Sequence, residues 1–249
     1  DRAARIFDSA MPIAGTHAEA YLNRRRIYPL PGMAAGLRFA AGLEYRGYAD
    51  PDSPEETALG VFPCMLASIQ NLLTLEQVGL HRTYLDPEEP AKLRPPGDAS
   101  QNKAKKSFGT VKGGGILLGP IRPIMAIGEG IETCLSWHQL GEGPHEVGLV
   151  CAVSLGNLAG AATGSMRHPS GRGTIPNGVP DMDRPGIILP PEVEEVIILG
   201  DGDSDRCATH ASLLVAARRF RAEGRTASVQ YVVDKADFND ALIEMRRAA

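Results

Sequence analysis

Pro123-Ile-Met-Ala-Ile-Gly-Glu-Gly-Ile-Glu-Thr-Cys-Leu-Ser136 decides how the chain reads. Residues 124–127 are an apolar run with the length of a buried strand, Gly128 and Gly130 permit a sharp turn, and 131–140 follow a helical pattern. Glu129 and Glu132 therefore sit at a strand-to-helix turn. In an open α/β sheet the carboxyl ends of the strands are where ligands bind. A carboxylate held there costs free energy unless a cation or hydrogen-bond donors compensate it. Val196-Ile-Ile-Leu-Gly-Asp-Gly-Asp-Ser-Asp205 repeats the pattern, a strand running into acids.

Asp201 and Asp203, one glycine apart, can both point outward from a strand tip, where their mutual repulsion favours a bound cation. Mg²⁺ takes hard oxygen ligands and needs only one or two protein carboxylates besides substrate phosphates. The same residues also suit a turn and a helix N-cap, although three aspartates in five residues exceed what a cap requires. Asp237-Phe-Asn-Asp240 is by itself an ordinary cap. Together the three stretches put acids at the ends of three strands of one sheet. The two readings to weigh are a divalent-metal site and a set of incidental caps.

Outward from this stretch, 193–199, 207–223, 229–233 and 238–246 read as strand, helix, strand and helix, with Leu213, Ala217 and Phe220 at helical spacing. Residues 147–153 read as a further strand, and 155–162 as a helix or turn. The alternation implies a parallel sheet covered on both faces. Residues 164–186 hold nine Gly or Pro and read as a long surface loop. Upstream the pattern changes. Two helices are expected within 1–27, the second opened by a capping box at Thr16-His-Ala-Glu19. Short strands at 37–39, 60–69, 78–85 and 115–118 then indicate a mainly antiparallel subdomain. The expected division is 1–121, α+β, and 122–249, α/β.

The chain has 249 residues, 43% hydrophobic and 22% charged, and a net charge of −4. That is a globular composition with no run long enough to span a bilayer. The four cysteines form no CxxC pair and read as reduced thiols, so a cytoplasmic location is expected and zinc within this chain is not. The six histidines show no ligand spacing. Charge is unevenly spread: residues 92–112 hold five lysines and Arg94 against Asp98 alone, a net of +5. Such a strip on an acidic protein suits either a polyanion or a solvated loop. Gly113-Gly-Gly-Ile-Leu-Leu-Gly119 lacks the Gly-Lys-Ser/Thr of a P-loop, and Gly128-Glu-Gly130 lacks the third glycine of a dinucleotide fingerprint.

Gly128-Glu-Gly-Ile-Glu-Thr-Cys-Leu-Ser136, Leu199-Gly-Asp-Gly-Asp203 and Asp237-Phe-Asn-Asp240 together resemble the Toprim domain, and their wording resembles that of phage- and plasmid-type primases and primase–helicases. Ala20-Tyr-Leu-Asn-Arg-Arg-Arg-Ile27, Leu80-His-Arg-Thr-Tyr-Leu-Asp86 and Gly113-Gly-Gly-Ile-Leu-Leu-Gly-Pro120 are similar to the amino-terminal half of the same catalytic core. The resemblance implies a Rossmann-like Toprim fold over 122–249 and template-directed RNA primer synthesis with Mg²⁺ or Mn²⁺. Glu129 becomes the catalytic or metal-binding acid, and Asp201 and Asp203 the main metal ligands, with Asp205 and Asp240 as contributors. Arg82, Lys103, Lys105, Lys106 and Lys112 become contacts to nucleotide or template. The implied partners are single-stranded DNA, NTPs and a replicative helicase, in cis or in trans. The zinc module usual upstream of such cores is not in this chain. A Toprim nuclease and a non-catalytic nucleic-acid-binding module are the alternatives.

Overall fold

The computed structural model describes residues 2–28, 32–33, 36–141, 146–200, 205–232 and 237–248. The chain is a mixed α/β protein that divides into two compact units, Asp1–Ser68 with Gln77–Gly109, and Ile69–Glu76 with Thr110–Ala249.

The first unit contains α1 (Arg2–Asp8), β1 (Met11–Pro12), α2 (His17–Arg24), β2 (Leu37–Gly47), β3 (Thr57–Gln70), β4 (Gln77–Tyr84) and β5 (Lys105–Gly109). Its sheet runs β1-β2-β3-β4-β5, and the pairs β1–β2, β2–β3 and β4–β5 are antiparallel. Strand β2 carries register shifts at Ala40/Leu43 and Tyr45/Arg46, and such bulges bend an antiparallel pair. Tyr45, Cys64, Leu66, Leu80 and Tyr84 form the core beneath α1. Tyr45 and Tyr84 meet edge-to-face at 4.9 Å, and each buried hydroxyl donates to a carbonyl, Lys103 O and Glu44 O respectively. The Thr16 capping box does not form. The Thr16 hydroxyl turns back to donate to Ile13 O, and Glu19 accepts from Gly15 N at 2.8 Å, one residue outside the expected position.

The second unit holds β6 (Ile116–Leu117), β7 (Ile124–Gly128), α3 (Ile131–Gln139), β8 (Gly148–Cys151), α4 (Leu155–Ala159), β9 (Ser165–Arg167), β10 (Thr174–Pro176), β11 (Glu195–Gly200), α5 (Arg206–Ala222), β12 (Thr226–Tyr231) and α6 (Phe238–Ala248). Its main sheet runs β12-β11-β7-β8-β6, parallel except for β6, which pairs antiparallel with β8. Val150, Ile127, Ile198 and Val229 lie in one row across it. The apolar run that predicts strand β7 is buried for the reason expected: both faces are covered. On α5, Leu213, Ala217 and Phe220 are buried at the predicted spacing. Arg219 is buried too; its guanidinium lies over the Phe220 ring and donates to Leu158 O, Ala159 O and Glu223, so no donor faces a bare interior.

Asn157, in the middle of α4, is a buried amide with every side-chain group engaged. Its Nδ2 donates to Gly114 O and Ala152 O, its Oδ1 accepts from Gly113 N, and its carbonyl accepts from Ile187 N.

The 164–186 segment is not a plain loop. Strands β9 and β10 pair antiparallel within it, and Ile175 is buried between Thr174 and Pro176. Few apolar residues are needed for so short a hairpin, which is why composition alone hides it. No helix among the described residues is long and apolar enough to cross a membrane.

Candidate nucleotide and metal sites

The central strand β7 ends at Gly128, and Glu129 follows directly, half-buried, before α3 begins. The glycines do not act by adopting left-handed conformations: neither Gly128 nor Gly130 has positive φ, and Gly130 is an extended N-cap at φ −111°. Gly128 is instead needed for close approach. A Cβ there would lie 2.8 Å from Cys134 Sγ and 3.4 Å from Thr133 Cγ2, so the bare backbone lets α3 pack on the strand end. Cys151 Sγ donates to Glu129 O at 3.1 Å, and Ala152 N to Gly128 O, which ties the turn to the neighbouring strand. Glu132, in the first turn of α3, is 4% exposed and so belongs to the interior, not to the helix's solvent face.

Strand β11, parallel to β7, ends at Gly200, the residue before Asp201. Asp201 and Asp203 lie outside the described residues. Asp205 is the N-cap of α5: Oδ1 accepts from Cys207 N and Ala208 N, and the carboxylate also meets His168 Nε2 at 3.1 Å. The Ala208 N–H, then His168, hold the Asp205 carboxyl below the usual aspartate range. Asp240 lies in the first turn of α6, its N–H donating to Asp237 Oδ1 at 2.7 Å. Asp205 and Asp240 therefore both sit at helix starts, where carboxylates complement the unpaired N–H groups and the helix dipole.

The basic strip is not a solvated loop throughout. Lys105 and Lys106 lie in β5, paired with Thr83 and Arg82 of β4. Successive side chains of a strand take opposite faces, so Lys105 and Lys106 do not act on one surface. Lys106 joins Arg2, Arg46 and Arg82 around a cavity of about 300 Å³ in the first unit, with Phe108 at its rim and Glu44 and Glu56 as the acids. Lys106 Nζ is 2.5 Å from Glu56 and donates to Arg46 O, with Tyr45's ring 5.0 Å away. Arg82 reaches the Tyr84 hydroxyl at 3.2 Å, and its Nε is buried without a hydrogen-bond partner. An orphaned guanidinium donor beside a cavity of excess positive charge is an anion-binding arrangement. Burial pushes the Tyr84 hydroxyl up to about 12, so that group stays neutral beside these cations at any working pH.

Lys103 is exposed and donates to Ser100 O. Lys112 belongs to the second unit, where it lines a different cavity with Ser154, Asn157 and Arg184. The structure thus brings Arg82 and Lys106 together and leaves Lys103, Lys105 and Lys112 elsewhere. Sequence reasoning missed Arg2 and Arg46: each is an isolated arginine, and only α1 and the twist of β2 bring them to the cavity.

Residues 1–118 match a family described as a domain of unknown function, DUF7146. No curated protein sequence matches the chain. Two solved structures are similar over most of its length. A DNA primase domain from Pseudomonas aeruginosa is 12% identical with a TM-score of 0.49, covering 99% of this chain and 76% of that one. The primase fragment of the bacteriophage T7 primase-helicase protein is 12% identical with a TM-score of 0.44, covering 92% and 66%. Neither likeness ties a role to any residue of this chain.

Proposed function

We propose that this chain performs primase-type nucleotidyl transfer, the metal-dependent joining of ribonucleotides on a single-stranded DNA template. The observation that supports this most directly is Glu129 at the carboxyl end of the central parallel strand, next to a strand leading into Asp201-Gly-Asp-Ser-Asp205. On this reading residues 122–249 are a Toprim domain and 1–121 the basic half of the same core. Glu129 is a hard oxygen donor at a strand tip, which suits Mg²⁺ or Mn²⁺, and Glu129, Asp201 and Asp203 would hold it, with Asp205 and Asp240 near helix starts. The ion would supply charge neutralisation at the triphosphate and a more acidic primer 3′-hydroxyl. Around Arg82 and Lys106, the protein itself would grip phosphate oxygens, while Lys103, Lys105 and Lys112 would draw in template by a salt-dependent attraction. A replicative helicase, in cis or in trans, is the partner that such a reaction serves.

A primer-synthesis assay tests this. Template, NTPs and Mg²⁺ or Mn²⁺ should yield nucleotide-dependent oligomers, and Glu129→Gln and Asp201→Asn should each abolish them with the thermal midpoint unchanged. Cleavage of the template without NTPs would replace the proposal by a nuclease. Metal-independent template binding with neither activity would replace it by a passive binding module.

A further inference from the structure

At the start of α5, three side chains of different chemistry converge, only one of them, Asp205, belonging to the strand-tip acids. The ligand atoms of His168, Asp205 and Cys207 all lie within 4.8 Å of one another, although His168 comes from the turn after β9 and the other two from the α5 cap. The His168 ring is mostly covered, with 13% of its side chain exposed, and its Nε2 faces the carboxylate at 3.1 Å. Asp205 Oδ1 accepts both backbone N–H groups of the cap, and His168 Nε2 lies 3.1 Å from each carboxylate oxygen. Cys207 is exposed, unlike the other three cysteines, and it belongs to no disulfide.

We propose that His168, Asp205 and Cys207 form a binding site for a borderline-soft divalent ion of the Zn²⁺ or Co²⁺ class. An imidazole, a thiolate and a carboxylate match the ligand preference of these ions and not that of Mg²⁺, which takes oxygen alone. Metal–ligand bonds of about 2.0–2.3 Å in a tetrahedron place ligand atoms roughly 3.3–3.8 Å apart, so the group needs to close by less than about 1.5 Å. Three protein ligands leave one position for water. Binding displaces the Cys207 thiol proton and moves the imidazole proton from Nε2, which faces the Asp205 carboxylate, to Nδ1; Nδ1 then gives up the N–H it accepts from Ser170 at 3.0 Å and donates to Ser170 Oγ, 2.6 Å away. The β9–β10 hairpin thereby gains its role: it carries His168 and Ser170 to a helix start 37 residues further along the chain. The site shares Asp205 with the acids that the primase reading gives to Mg²⁺, but His168 and Cys207 have no part in that reading, and a thiolate–metal signal reports on this site alone.

Titration of the whole protein with Co²⁺ tests it without any activity assay. The expected result is a thiolate-to-cobalt charge-transfer band saturating at one ion per chain, bleached by Zn²⁺ and unaffected by excess Mg²⁺. Cys207→Ser should remove the band, and Ser170→Ala, which deletes the hydroxyl facing Nδ1 together with its long contact to Arg172 N, should weaken binding by about tenfold. Both positions are exposed, so both variants should fold. Absence of the band, or its survival in Cys207→Ser, overturns the site.

Discussion

Arg82 and Lys106 stand directly opposite each other across β4 and β5, two like charges at one cross-strand position. Such pairs destabilise a sheet unless something offsets them. Glu56 offsets Lys106, while the buried Arg82 Nε has no partner. Arg82→Met should therefore leave unfolding free energy within about 1 kcal/mol of the parent. It should weaken binding of single-stranded DNA or nucleotide and flatten the log–log salt slope by about 0.7 for each phosphate no longer neutralised. Anisotropy titrations at several salt concentrations measure this, and an unaltered slope would remove Arg82 from the site.

Gly128 is a packing glycine, not a turn glycine. Gly128→Ala should push α3 off the end of β7 and cost about 1–3 kcal/mol, as overpacking does. Because the nearest obstacle is Cys134 Sγ at 2.8 Å, Cys134→Ala in the same chain should recover part of the loss. Denaturant unfolding of the single and double variants measures it; strict additivity would mean that the sulfur is not the obstacle.

Acid should loosen the fold in a narrow window. The Ser100 N–H and hydroxyl hold the Asp98 carboxyl below its usual value, and the Arg184 guanidinium does the same for Asp181. A carboxyl whose folded value is depressed contributes stability that is complete above its unfolded value, near 4, and is lost as pH falls through the folded one. Thermal midpoints should thus be insensitive to these groups from pH 7 to about 5 and drop below about 4. Asp98→Asn should lower the midpoint at pH 7 and shrink the acid drop; an acid limb of unaltered size would assign it to other carboxyls.

Periodicity decides how much of the fold is legible in the chain. The apolar run at 124–127, the helical spacing of Leu213, Ala217 and Phe220, and the strand-helix alternation around them each repeat a pattern that burial enforces. Local chemistry is less readable. Lys105 and Lys106 look like loop because charge masks strand alternation, yet pairing with β4 supplies the ladder. Thr16 and Glu19 have the spacing of a capping box and make different bonds, since neighbouring carbonyls and amides compete for the same side chains. Ligand spacing along the chain does not reveal His168, because a hairpin brings it to Asp205 in space alone. Asp201 and Asp203 lie outside the described residues, so the strand-tip cluster rests on their place in the sequence.

Asn157 has a consequence in time as well as in energy. Its amide reaches Ala152 locally, but it can bond Gly113 and Gly114 only after segments more than forty residues apart have met, with Gly113 lying 44 positions away. Pairings of that separation are among the last to form on a folding pathway. Asn157→Asp, which keeps the shape but replaces two donors with a buried charge facing carbonyls, should therefore leave the refolding rate nearly unaltered and multiply the unfolding rate. The side chain acts as a latch on the native state: its removal shortens the lifetime of the folded unit without slowing its arrival.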